Sequence, residues 1–141
     1  MQLKILFLDD EAWRVDIARR TFPAAALVHV QNVTSCLEQL REGPDGGWDV
    51  VSLDHDLGGE RFVDSNRDDC GMYVVRWLAK FKRPIAMVIV HTLNQEAAPA
   101  MADKLRKAGY KVTTVPITLW AGAPKLTGGG PWRKTSSRLT G

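Results

Sequence analysis

Cysteine is scarce in this sequence. Cys36 and Cys70 are its only two, with no CxxC pair and no metal-ligand spacing. A disulfide-stapled scaffold and a cysteine-ligated metal centre are therefore both excluded, and two reduced thiols point to the cytoplasm. Long apolar runs are missing too. Nothing approaches the roughly 20 residues of a membrane helix, and the apolar start MQLKILFLDDE meets acid at Asp9 without a cleavage pattern. The expectation is a cytoplasmic protein with no membrane partner. Residues 117–141 lack acid altogether: they hold Lys125, Arg133, Lys134 and Arg138, so against a net charge of +3 the rest of the chain stands at −1. A basic end attracts phosphates, and serves equally as a solvated terminus. Gly58-Gly59 and Gly128-Gly129-Gly130 are not followed by Gly-Lys-Ser/Thr, so neither is a Walker loop.

What is present is alternation. Lys4 to Leu8 is an apolar run that stops at Asp9-Asp10-Glu11, as suits a strand buried on both faces of a parallel sheet. Ala12, Val15, Ala18 and Phe22 follow at helical spacing, and Pro23 ends that helix. Ala26 to Val30 reads as a second strand. Thr34 or Ser35 is the expected cap of a second helix bearing Leu37 and Leu40. Trp48 to Leu53 is a third strand, Cys70, Val74, Trp77 and Phe81 mark a third helix, and Ile85 to Val90 a fourth strand. A fourth helix carries Ala98, Met101, Leu105 and Ala108, takes Pro99 in its first turn and ends at Gly109. Lys111 to Val115 is the fifth strand. This predicts an α/β domain over 1–120 with helices on both sheet faces, then a basic, Gly-rich tail over 121–141.

In an open α/β sheet, ligands bind beyond the carboxyl ends of the strands. The reactive side chains lie there in this sequence. Asp9 and Asp10 follow the first strand, Asp54, His55 and Asp56 the third, and His91, Thr92 and Asn94 the fourth.

The segments ILFLDDE, WDVVSLDHDL and PIAMVIVHTLN resemble the receiver domain of two-component signalling over residues 3 to 116. The resemblance implies a flavodoxin-like, doubly wound five-stranded parallel sheet of order 2-1-3-4-5. It also implies that Asp9, Asp10 and Asp54 hold Mg²⁺, with Asp54 at the phosphoacceptor position. Two positions depart from that pattern. His91 stands where receivers carry Ser or Thr, and Val115 precedes Pro116 where they carry Lys. LDHDLG together with HTLN is similar to a divergent branch, the cyclic-phosphate-processing receivers, proposed to act on cyclic phosphates with extra histidines.

The residues support chemistry of that kind. Crowded carboxylates favour a hard cation or raise one another's pKa; as the alternative, Asp10 and Asp56 cap the turns that follow. His91 and His55 are candidate general base and acid near neutral pH, although strand alternation points His55 to the face opposite Asp54. His29 reads as structural. Asn94 is expected to orient His91, to meet a phosphate oxygen or to cap the fourth helix. Thr92 offers a hydroxyl to phosphate, as Arg133 and Lys134 offer charge. Trp13, Trp48, Trp77 and Trp120 read as core or rim packing. The leading expectation is binding and hydrolysis of a cyclic or terminal phosphate on a nucleotide or RNA end, by catalytic His91, His55 and Asp54 with Mg²⁺. The alternatives are a non-catalytic binder of such a nucleotide, in which a homo-oligomer is allowed for, and a signalling receiver phosphorylated on Asp54. Sequence-specific DNA binding is not expected.

Overall fold

The structure is a computed structural model and describes residues 2–123. Five parallel strands, β1 (Lys4–Leu8), β2 (Ala26–Val30), β3 (Trp48–Leu53), β4 (Ile85–Val90) and β5 (Val112–Thr114), form one sheet of order β2-β1-β3-β4-β5. Four helices connect them: α1 (Ala12–Thr21), α2 (Val33–Glu42), α3 (Gly71–Lys80) and α4 (Ala97–Lys107). The expected doubly wound topology is therefore present, and its strand order reverses between β1 and β3. The tail assigned to 121–141 lies outside the described residues from position 124 on.

Alternation along each strand splits the core in two. Leu6, Leu8, Val51, Leu53, Val88 and Val90 pack with residues of α2, α3 and α4. Phe7 and Ile89 turn to the other face and pack with Val15, Ile17 and Ala18 of α1 and with Val115, Ile117 and Trp120. Each such side chain, fully buried, contributes about 1.5–3 kcal/mol of transfer free energy. No fifth helix covers the α1 face among the described residues. A 3-10 turn at Ile117–Leu119 and the Trp120 ring take that place.

Two local expectations are corrected. The cap of α2 is Asn32, whose side-chain oxygen accepts the Ser35 N–H at 2.8 Å, so Thr34 and Ser35 lie inside the helix. β5 is shorter than Lys111 to Val115. Gly109 does end α4, in the left-handed conformation at φ 95°. Gly71 is required for a different reason: a Cβ there would collide with the Asp54 carbonyl oxygen. The start of α3 thus presses directly on the end of β3.

Candidate functional site

The site grows out of the sheet. Asp9, Asp54 and His91 each follow the last residue of their strand, and each is held by one more ladder bond. Asp9 N–H donates to Val30 (3.1 Å), Asp54 N–H to Leu8 (3.1 Å) and His91 N–H to Leu53 (3.0 Å). Each lies two residues beyond an α1-facing position (Phe7, Ser52 and Ile89), so alternation sends all three to that face. Their ligand atoms lie within 4.8 Å of one another, and the residues are at most 1% exposed. His91 Nε2 meets Asp9 Oδ2 at 2.9 Å and its Nδ1 meets Ser52 Oγ at 2.7 Å. The ring donates from Nε2 to the carboxylate. The imidazole stacks on Phe7, centroids 4.4 Å apart and planes 6° apart.

Arg14, in the first turn of α1, completes this floor. One guanidinium nitrogen, Nη1, donates to Asp54 Oδ2 at 3.2 Å and lies 3.4 Å from Asp9 Oδ2. Its carbon sits 5.1 Å from the Trp13 ring centroid, and its buried Nε has no hydrogen-bond partner among the described residues. Burial pushes the Asp54 carboxyl up and the Asp9 charge adds to this, while His91, Arg14 and the Thr92 hydroxyl pull it down; the outcome is a pKa of about 6. Asp54 is thereby poised to exchange a proton near neutrality.

A second carboxylate–imidazole pair lies in the loop after β3. His55 Nδ1 meets Asp56 Oδ1 at 2.7 Å and its Nε2 meets Ser65 Oγ at 2.9 Å. Asp56 also accepts from Phe62 N–H (2.8 Å), Val63 N–H (3.1 Å) and Asn94 Nδ2 (3.2 Å). Burial opposes its charge, but the hydrogen bonds from His55, Phe62, Asn94 and Val63 outweigh that and hold its pKa below the usual value. The bracket fixes Phe62 at φ 54°, the only non-glycine residue with positive φ among those described. Such a conformation costs a bulky residue on the order of 1 kcal/mol. Between floor and loop opens a cavity of about 360 Å³, lined among others by Arg14, Asp54, Asp56, Arg61, Thr92 and Asn94.

Residues 4–107 match the family described as the cyclic-phosphate processing Receiver domain. The chain belongs to this family. Solved structures agree on the fold. The signal receiver domain of a Luxo repressor protein from Vibrio parahaemolyticus shares 15% identity at a TM-score of 0.62, over 99% of this chain and 89% of that one. The non-phosphorylated receiver domain of the stress response regulator RcsB from Escherichia coli shares 16% at 0.60, over 99% and 94%. A CheY-like receiver domain protein from Methanospirillum hungatei JF-1 shares 12% at 0.57, over 99% and 95%. No curated protein matches the chain.

This receiver domain brings together only part of the expected site. Asp9, Asp54 and His91 converge. Asp10 lies apart at the cavity wall, where its carboxylate accepts the Gly59 N–H at 2.6 Å. The two candidate proton-transfer imidazoles, His55 and His91, are both 0% exposed, with both ring nitrogens of each engaged inside the protein. His91 is also core packing, so truncating it would not leave the fold untouched. The side-chain hydrogen bonds of Asn94 among the described residues go to groups other than His91. Asn94 caps α4 by accepting from Glu96 N–H (3.2 Å) and Ala97 N–H (3.0 Å), and it braces Asp56. Thr92 lines the cavity and bonds to Asp54. His29 is structural, its Nε2 2.7 Å from the Asp9 carbonyl. Trp13 is rim rather than core, at 44% exposure. Arg133 and Lys134 lie outside the described residues.

Sequence reasoning missed Arg14 and Ser52. A cation one turn into the helix after an acidic strand end was the available signal for the first. A hydroxyl two residues before Asp54, on the same strand face, was the signal for the second. The residues present fit a hard divalent cation, since two converging carboxylates already draw a positive group between them.

Proposed function

We propose that this receiver domain binds and hydrolyses a cyclic or terminal phosphate carried by a nucleotide or RNA end. The observation that carries this reading is the convergence of Asp9, Asp54 and His91 beneath a cavity that also presents Arg14 and Thr92. The family match supports a cyclic phosphate. The histidines assist from behind: His91 orients Asp9, and His55 holds the loop.

Arg14, released from the acids, meets a phosphate oxygen with charge-assisted hydrogen bonds, and Thr92 offers its hydroxyl beside it. Asp54 accepts a proton from the attacking water. As the water oxygen bonds to phosphorus, the P–O bond to the ribose oxygen breaks and that oxygen takes the proton back, so water adds across one ester bond and the ring opens. Asp9, with Asp54 beside it, would hold Mg²⁺, which supplies Lewis-acid polarisation of the phosphoryl group.

The test is incubation with 2′,3′-cyclic nucleotides and RNA 2′,3′-cyclic ends, with and without Mg²⁺, read by chromatography. Asp54→Asn is expected to lower turnover at least about 10²-fold. Turnover at the parental rate in that variant overturns the scheme. Burial of both imidazoles favours a second reading, sequestration without chemistry. Ligand recovered intact from a long-incubated, Mg²⁺-containing complex would establish that one instead.

A further inference from the structure

Five large apolar side chains are exposed among the described residues, and three of them, Trp13, Phe62 and Leu93, line the cavity that also presents Asp10, Asp54 and Asp56. Exposed apolar groups scattered singly need no explanation. Gathering them at the wall of a charged cavity does.

The backbone of one aromatic and the ring of the other are held by their neighbours. Phe62 is 80% exposed, yet the bracket of His55, Asp56 and Asn94 holds its backbone left-handed, a conformation a bulky residue avoids. The buried ring of His55 therefore serves the placement of an exposed one. Trp13 lies beneath the guanidinium of Arg14, the group that bridges Asp9 and Asp54. The cationic centre of the floor and an aromatic plane are thus neighbours in sequence and in space. Every nucleobase offers a π-face to rings exposed in this way.

We propose that Trp13 and Phe62 form a nucleobase-stacking site, with the ligand's phosphate on the Arg14 side. This rests on the phosphate-binding reading above and deepens it by assigning recognition of the nucleotide's base to two named rings. A cavity of about 360 Å³ falls within the range of small-ligand sites. Arg61, on the same lining, adds a cation at the rim. In this arrangement His55, Asp56 and Asn94 are positioning residues that act through Phe62.

The experiment measures affinity by calorimetry for three probes: adenosine 2′,3′-cyclic phosphate, a base-free five-membered cyclic phosphate of glycerol, and inorganic phosphate. The base-bearing probe is expected to bind roughly tenfold or more tightly than the base-free one. Trp13→Ala and Phe62→Ala should each remove most of that difference, and Phe62→Ala should do so while leaving the two base-free probes unchanged. Phe62→Trp should restore it, which a merely structural role for Phe62 would not. Equal affinity of the parent for the base-bearing and base-free cyclic phosphates overturns the stacking site and spares the phosphate reading. Equal loss of all three probes in both aromatic variants also overturns it, since the rings then support the fold. Failure of all three probes to bind the parent overturns the phosphate reading, and the stacking site with it.

Discussion

This receiver domain pairs a carboxylate with an imidazole twice, and the two pairs differ in what holds them. Asp9 and His91 stand on strand ends, 2.9 Å apart, with their backbones on the ladder. His55 and Asp56 stand on a loop, 2.7 Å apart, and hold the backbone of Phe62 and Val63 in turn. The sheet makes the first pair and the second pair makes its loop. A sheet gives fixed geometry through many shared bonds, whereas a loop has only its own. The same chemistry therefore supplies the floor of the site in one case and a brace for its wall in the other.

Replacing each imidazole separates the two roles. His91→Ala removes a ring packed against Phe7 and takes from Asp9 and Ser52 their hydrogen bonds to the imidazole. Urea denaturation should show a loss of about 4 kcal/mol, and a loss below about 1 kcal/mol would mean that the floor does not depend on it.

The floor should also be visible in pH. Asp54 titrates at about 6 in the fold against 3.8 when free, so between those values the folded protein keeps a proton the unfolded chain has lost. Stability then falls as pH rises through that window, by about 3 kcal/mol in all. Urea titrations at pH 4 and 7 with a chelator present should show this fall, and Asp54→Asn should flatten it.

His55→Ala acts on the loop alone. A loss of about 2 kcal/mol is expected, with faster amide exchange at Phe62 and Val63 and unchanged exchange in β1 and β4. Protection lost equally in the strands would erase the distinction between floor and wall. Phe62→Gly should be the mildest change, a gain of about 0.5 to 1 kcal/mol as the left-handed backbone is relieved. A net loss would show that the ring packs where it is drawn as free.

The floor was legible in the sequence and the wall was not. An apolar strand that stops dead at an acid declares both its end and its face, so Asp9, Asp54 and His91 followed from periodicity once the strands were placed. Asn32, Arg14 and the bracket around Phe62 did not follow. A cap competes with equally good neighbours such as Thr34. Arg14 reads as an ordinary exposed helix residue until the two acids beneath it are seen together. Between Asp56 and Phe62 no period survives to say that one carboxylate will collect the N–H groups of a turn. His55 carried a half-signal: alternation pointed it away from Asp54, and it does bond elsewhere, although only the loop shows to what.

Arg14 offsets one of the acidic pair's two negative charges at rest. An arriving monovalent ion would bring no more charge than the side chain it displaces, and would give up its own water to do so. Two charges on one ion are the least that tip this exchange, so a divalent cation is the occupant expected to displace Arg14 where a monovalent one is not.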